Sequence, residues 1–214
     1  MPEPPLLFDL DGTLVDSLPD IAASVNHVRA AFALPALPLD AVRGMVGDGV
    51  SALLARALPG MPDALPRALA LYRAHHAEQC TALVRPFPGV RAALAAWQAR
   101  GFPMAVVTSK PAPFAERVLE RVGLRGFFAA VVDGDAVQKR KPDPEPCLLA
   151  LRLLGAAPGR GTMIGDGVQD LRAGKAAGLR TVAVLHGYGD PAELRAAGAD
   201  EYWPAFPAVG TASR

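Results

Sequence analysis

Leu6-Leu7-Phe8-Asp9-Leu10-Asp11-Gly12-Thr13 sets three apolar residues in front of two carboxylates spaced two apart, with a turn residue after them. The apolar run is about the length of a buried strand, and the acids begin where that strand ends. Beyond a strand end the pleat is lost, so Asp9 and Asp11 can face one cavity. Two carboxylates that close repel, so either a positive group neutralises them or one stays protonated. A calcium loop of the EF-hand type fails: counted from Asp9, the sixth position is Leu14 instead of Gly and the twelfth is Asp20 instead of Glu. Taken alone, the segment also fits a reading in which Asp9 and Asp11 are turn and cap residues.

Similar short apolar runs recur downstream at Met104 to Val107, Ala129 to Val132, Thr162 to Ile164 and Thr181 to Leu185. Helical spacing lies between the later runs, with Val90, Leu94 and Trp97 in one segment and Phe114, Val118 and Val122 in the next. Strands alternating with helices predict an α/β fold with a doubly wound, Rossmann-like parallel sheet. From about Leu18 to Leu83 the rhythm breaks. Ile21, Val25, Val28 and Phe32 keep a helical period there, and no strand pattern appears. The interval therefore reads as an inserted helical cap at 17–84, between core segments 1–16 and 85–214. Ser17-Leu18-Pro19 and Arg85-Pro86-Phe87-Pro88-Gly89 mark the junctions where two hinge strands enter and leave.

The chain has 214 residues, enough for one large domain or one domain with an insertion. Hydrophobic residues make up 51% and charged ones 20%, which excludes disordered and collagen-like classes. A net charge of +1 and no long basic tract argue against nucleic acid as a partner. The N-terminal segment carries acids where a signal peptide needs a basic region, and no uncharged run approaches the roughly 18 residues of a membrane span. A soluble, cytoplasmic protein is expected. Cys80 and Cys147 stand far apart with no Cys-x-x-Cys, so neither a disulfide framework nor a zinc site is expected.

A second acidic pair follows an apolar strand at Gly165-Asp166-Gly167-Val168-Gln169-Asp170 and opens a helix. The i, i+4 spacing predicts that Asp166 and Asp170 share a helix face, although acids at a helix start also serve as ordinary caps. Two acidic strand ends in one parallel sheet meet where clefts form, beyond the carboxyl ends at the topological switch point. An all-oxygen donor set of this kind points to Mg²⁺, which takes one or two carboxylates plus substrate phosphate. A small phosphorylated metabolite is then the expected ligand. Thr108-Ser109-Lys110, after the second strand, offers two hydroxyls and an ammonium for phosphoryl oxygens. Lys139-Arg140-Lys141-Pro142-Asp143-Pro144 is a basic turn that would be a solvated loop in isolation.

Taken together and in order, Asp-x-Asp-Gly-Thr, Thr-Ser-Lys, Lys-Pro-x-Pro and Gly-Asp-x-x-x-Asp resemble the haloacid dehalogenase superfamily. The likeness covers nearly the whole chain and matches members with an all-helical insert between the first two motifs. Asp9 to Ser17, Pro86 to Val90, Phe128 to Asp135, Lys141 to Pro146 and Gly187-Tyr188-Gly189 are most similar to members that hydrolyse 2-phosphoglycolate. The resemblance implies a sheet order 3-2-1-4-5, which brings Asp9, Thr108 and Asp166 to one switch point. It implies that Asp9 is the nucleophile, and that Asp11 is the acid for the leaving alkoxide and then the base for water. Thr108 and Lys141 would bind the transferring phosphoryl group. Asp9, Asp166 and the Asp11 carbonyl would hold Mg²⁺, with Asp170 orienting water on it.

The physics of those roles is consistent. A carboxylate attacking a phosphate dianion meets charge repulsion that Mg²⁺ and Lys141 offset, and an aspartyl phosphate splits one displacement into two. Substrate selection is expected from the cap loop Gly47-Asp48-Gly49, with Arg43 compensating Asp48, and from Ser109 and Lys110. Asp48 stands where Asn is usual in the family; it either faces the leaving group, biasing toward neutral esters, or caps the helix Val50 to Leu58. Retention of Asp11 argues against a dehalogenase, and the absence of a lysine in the insert argues against an imine-forming phosphonate hydrolase. A pyrophosphatase, a broad sugar-phosphate phosphatase, a phosphosugar mutase and a catalytically dead regulatory domain remain as alternatives. Nothing in the sequence assigns an oligomeric state.

Overall fold

The computed structural model describes residues 3–207, so the outermost residues of the expected core segments lie outside it. The chain begins with β1 (Leu6–Phe8), β2 (Val15–Asp16), α1 (Leu18–Ala31), α2 (Leu39–Arg43), α3 (Val50–Ala57) and α4 (Leu65–Gln79). It continues with β3 (Arg85–Pro86), α5 (Val90–Ala99), β4 (Met104–Val107), α6 (Ala112–Arg121), β5 (Ala130–Val132) and α7 (Glu145–Leu153). It closes with β6 (Thr162–Gly165), α8 (Val168–Ala176), β7 (Arg180–Val184), α9 (Pro191–Ala197) and β8 (Glu201–Trp203).

Six strands form a parallel sheet in the order β5-β4-β1-β6-β7-β8, the expected order with one added edge strand. The central strands β1 and β4 are buried on both faces, in keeping with their wholly apolar sequences. Leu6, Phe8 and Val106 turn toward Val90, Leu94 and Val118 on one face. Leu7, Ala105 and Val107 turn toward Cys147, Leu151 and Ala173 on the other. Strand β8 was not legible in advance. Its Glu-Tyr-Trp sequence carries no apolar run, and its place at the edge is supported by Trp203 stacking on Trp97 at 6.0 Å.

Phe8 pairs with Val106 on one side and with Ile164 on the other, which puts β1 between β4 and β6. The ladder runs one residue further, where Asp9 N donates to Ile164 O at 2.9 Å. Asp9, Thr108 and Asp166 therefore leave three adjacent strands at the same level.

Between β2 and β3, α1 to α4 enclose a second apolar cluster built on Ile21, Val25, Val28, Leu53, Leu54 and Tyr72. β2 and β3 pair antiparallel, Val15 with Pro86 and Asp16 with Arg85, at the two junctions marked by proline. No helix among the described residues is long and apolar enough to cross a membrane.

The return of the chain to β3 is fastened by Asp20 of α1. Its fully buried carboxylate accepts Leu83 N at 3.1 Å and Val84 N at 3.0 Å. Buried N–H groups left without an acceptor cost about 1–3 kcal/mol each. We therefore expect Asp20→Ala to lower unfolding free energy by about 2 kcal/mol or more, read as a lower urea midpoint; a midpoint within error of wild type would contradict this role.

Candidate active site

The site is organised by a buried lysine. Lys141 Nζ lies 2.9 Å from Asp9 Oδ1 and 2.6 Å from Asp170 Oδ1, and it donates to Val107 O at 2.8 Å. The basic turn is thus no solvated loop at this position: Lys141 is 5% exposed, held between Asp9, Asp170 and the end of β4. Burial lowers the stability of its ammonium, yet Asp170 and Asp9 outweigh that effect, and its pKa stands above the usual lysine value.

Asp9, Asp166 and Asp170 gather with carboxylate oxygens within 4.8 Å of one another, all three buried. The expected common helix face for Asp166 and Asp170 is corrected. Asp166 precedes α8, which begins at Val168 after the N-cap Gly167, and Asp170 sits in the first turn with Oδ2 accepting Gly167 N at 2.9 Å. The two acids converge because a strand end and a helix start fold toward each other. Asp166 accepts from Thr13 Oγ1 at 2.7 Å and from Tyr188 N at 2.8 Å. Gly12, at φ 84°, lies against the Asp166 carboxylate, where a Cβ would collide with it.

Asp11 leaves the cluster. Its carboxylate takes both Lys110 Nζ contacts, at 2.9 and 3.0 Å, and accepts the Ser17 hydroxyl. Each carboxylate of the opening pair thus has its own lysine, which is how two close acids coexist in a buried site. Thr108 is buried and its Oγ1 accepts Lys110 N at 3.1 Å. Ser109 is also buried, and its Oγ has no hydrogen-bond partner among the described residues.

The helical segment contributes a second wall. At Gly47, φ 131°, a Cβ would strike the Gln169 amide, so the loop sits directly on the first turn of α8. Gly49 is the N-cap of α3, with no side-chain cap, so Asp48 does not cap that helix. Asp48 is instead paired with Arg56 one helical segment on. The compensating arginine is thus Arg56, not Arg43. Arg43 reaches Gly187 O at 3.4 Å and lies 5.8 Å over the Tyr188 ring.

Tyr188 carries more structure than its sequence position revealed. Its phenol oxygen accepts Ser17 N at 2.8 Å and Leu18 N at 3.0 Å, and lies 3.0 Å from Asp16 Oδ1. It therefore caps α1, whose own N-cap Ser17 has turned its hydroxyl to Asp11. An aromatic residue between two glycines after a strand is the only sequence signal for this strut.

Two cavities meet at Asp9 and Asp11. One, about 770 Å³, opens past Arg43, Asp48 and Arg56; the other, about 50 Å³, lies inward among Thr108, Ser109, Lys110 and the helices α1 and α4.

A divalent cation fits the acid cluster. Burial, with the neighbouring Asp170 and Asp166, drives the Asp9 carboxyl well above the usual range despite Lys141. Burial and Asp170 likewise push Asp166 to about 7. One ammonium therefore falls short of neutralising three buried acids, and the donors are all hard oxygens. In the metal-free protein, folded Asp166 keeps its proton to about pH 7 while the unfolded chain releases it near pH 4. The associated stability is present below about pH 4 and is lost as pH rises toward 7. We expect Asp166→Asn to gain stability relative to wild type between pH 5 and 7, by at most about 1.4 kcal/mol per unit. Denaturation in chelator across that range checks this, and parallel profiles would refute it.

Residues 6–184 match the family model for haloacid dehalogenase-like hydrolases. A phosphoglycolate phosphatase of Cupriavidus necator is 39% identical over 217 residues, covering 98% of this chain and 94% of the relative. An N-acetylmuramic acid 6-phosphate phosphatase of Pseudomonas aeruginosa is 40% identical over 189 residues, covering 87% and 83%. The crystal structure of a predicted phosphoglycolate phosphatase from Haemophilus somnus superposes with a TM-score of 0.88 at 28% identity, covering 95% of each chain. The chain belongs to the haloacid dehalogenase-like hydrolase family.

Proposed function

We propose that the protein hydrolyses a small phosphate monoester, 2-phosphoglycolate, with Mg²⁺ and through an aspartyl phosphate on Asp9. The observation that carries this reading is the meeting of Asp9, Asp166, Asp170 and Lys141 at one switch point, with Asp11 beside them on a separate lysine. The full-length similarity to a phosphoglycolate phosphatase supports the substrate.

Asp9, Asp166 and the Asp11 carbonyl would hold Mg²⁺, which when bound offsets the negative charge of the phosphoryl oxygens. Asp9 Oδ attacks phosphorus, the bond to the ester oxygen breaks, and Asp11 gives its proton to that oxygen. Water then attacks the aspartyl phosphate while Asp11 takes the proton, releasing phosphate and restoring Asp9. Lys141 and Thr108 hold the phosphoryl oxygens through both steps, and Asp170 keeps Lys141 aimed. Residues 17–84 act as the cap that shields the first step from water, with the hinge of β2 and β3 between the cap and core segments 1–16 and 85–214. Arg43, Gly47, Asp48 and Gly49 line the approach to the site, with Ser109 and Lys110 on the inner side. Because Arg56 neutralises Asp48, this loop does not by itself repel an anionic leaving group.

A Mg²⁺-supplemented screen against small esters, with 2-phosphoglycolate and N-acetylmuramate 6-phosphate among them, tests the assignment: highest kcat/KM is expected for 2-phosphoglycolate. Asp9→Asn is expected to abolish turnover, and Asp11→Asn to lower it by about 10²- to 10⁴-fold. Chelation is expected to stop activity, and Ca²⁺ not to restore it, because the larger ion takes a looser shell. Turnover by Asp9→Asn near the wild-type rate would refute the mechanism.

A further inference from the structure

Tyr188 follows β7, in the part of the chain that builds the sheet, yet its ring packs in the same apolar cluster as Leu18 and Ile21 of the helical segment. Its two hydrogen-bonding ends serve different partners. The backbone N–H donates to Asp166 Oδ2 at 2.8 Å, whereas the phenol oxygen accepts Ser17 N at 2.8 Å and Leu18 N at 3.0 Å where the chain enters α1. Leu18 N also has Asp16 Oδ1 at 3.2 Å. The phenol hydrogen has that same Asp16 Oδ1 at 3.0 Å, with Val15 O further off at 3.5 Å. The hydroxyl is thus engaged both as donor and as acceptor.

The backbone end cannot drift from Asp166. A Cβ on Gly187 would collide with the Asp166 side chain and with Gly12 O, and one on Gly189 would collide with the Asp166 carbonyl. The loop is therefore pressed onto this acid on both sides of Tyr188. A second tie runs through Thr13, whose Oγ1 donates to Asp166 Oδ1 at 2.7 Å and whose carbonyl oxygen accepts His186 Nε2 at 3.1 Å. Asp166, Thr13, His186 and Tyr188 form a closed circuit.

The phenol end cannot absorb movement either. A tyrosine side chain has two rotatable torsions, and this ring is 9% exposed, held in the apolar cluster with the Arg43 guanidinium 5.8 Å over one face. Ser17 and Leu18 are each 1% exposed, so their N–H groups have little access to water as a substitute acceptor. A shift or a stiffening of Asp166 is then carried along a rigid ring to the first turn of α1. Asp166 is also one of the three buried acids whose oxygens lie within 4.8 Å of one another, where a hard cation fits.

We propose that Tyr188 is a positioning residue that couples Asp166 to the first turn of α1, so that Mg²⁺ binding at the acid cluster firms the attachment of the helical segment. This rests on the reading of Asp166 as a metal ligand given above. Coupling between two sites is reciprocal, so whatever Mg²⁺ contributes to the seating of α1 returns as affinity for Mg²⁺.

The test is amide hydrogen exchange at Ser17 and Leu18, followed by NMR in chelator and in saturating Mg²⁺, with Mg²⁺ affinity measured by calorimetry. In the wild type, Mg²⁺ is expected to slow exchange at both amides by about fivefold or more. Tyr188→Phe keeps the ring and removes the hydroxyl. In that variant the effect of Mg²⁺ on exchange is expected to fall within about twofold, and the Kd for Mg²⁺ to rise by about fivefold. A purely structural tyrosine would instead speed exchange equally with and without Mg²⁺ and leave the Kd unchanged, which would overturn the proposal. The other link from the acidic strand end to Ser17, its hydroxyl on Asp11, is untouched by this substitution. Retention of the full Mg²⁺ effect in Tyr188→Phe would assign the coupling to that link and overturn the role of Tyr188. The wild-type measurement does not depend on how the variant folds: saturable Mg²⁺ binding with no change in exchange overturns the coupling and leaves the metal reading standing. Absence of saturable Mg²⁺ binding to the wild type overturns both.

Discussion

The ammonium of Lys141, buried between Asp9 and Asp170, is the contact on which the rest of this structure depends. Three carboxylates at the carboxyl end of a parallel sheet cannot remain ionised in a dry cleft without positive charge, and among the described residues Lys141 is the lysine placed among them. Its position requires the loop after β5 to cross over the end of β4, where Val107 O receives a further hydrogen bond. The same shortage of positive charge makes the cluster receptive to a hard cation.

A second lysine repeats that logic one step away. Lys110 holds Asp11 apart from the cluster, so two carboxylates only two positions apart in the chain occupy different electrostatic environments. In the proposed mechanism one attacks and the other transfers the proton, a division that matches which lysine each meets. The Asp11 carboxylate is also bound by Ser17, at the threshold of the helical segment, whose first N–H groups are held by Tyr188. The helical segment and the strand end are thereby joined through Asp11.

Much of this was legible from residue order. The strands β1, β4 and β6 announce themselves as apolar runs because parallel strands buried on both faces carry little else, and the acids after them mark the switch point. The helical spacing of Ile21, Val25 and Val28 reappears as the packed face of α1. Spacing misled where it was asked to report a direction. Asp166 and Asp170 suggested one helix face, but the helix starts between them. Asp48 suggested repulsion or capping, but a cross-loop arginine meets it. Arg56, Gln169 and Tyr188 gave no usable local signal, since each acts by touching residues distant in the chain.

Sequence alone determined the fold class, the inserted helical segment, the two acidic strand ends and the family resemblance, because periodicity and motif order are local properties of the chain. Tertiary structure decided the pairing of each carboxylate with its lysine and the burial of Lys141. It also decided the pairing of Asp48 with Arg56 and the small inner cavity lined by residues of both the helical segment and the sheet. Those are electrostatic and packing relations among groups tens of residues apart, and the energy of a buried charge depends on what surrounds it in space, which residue order does not encode.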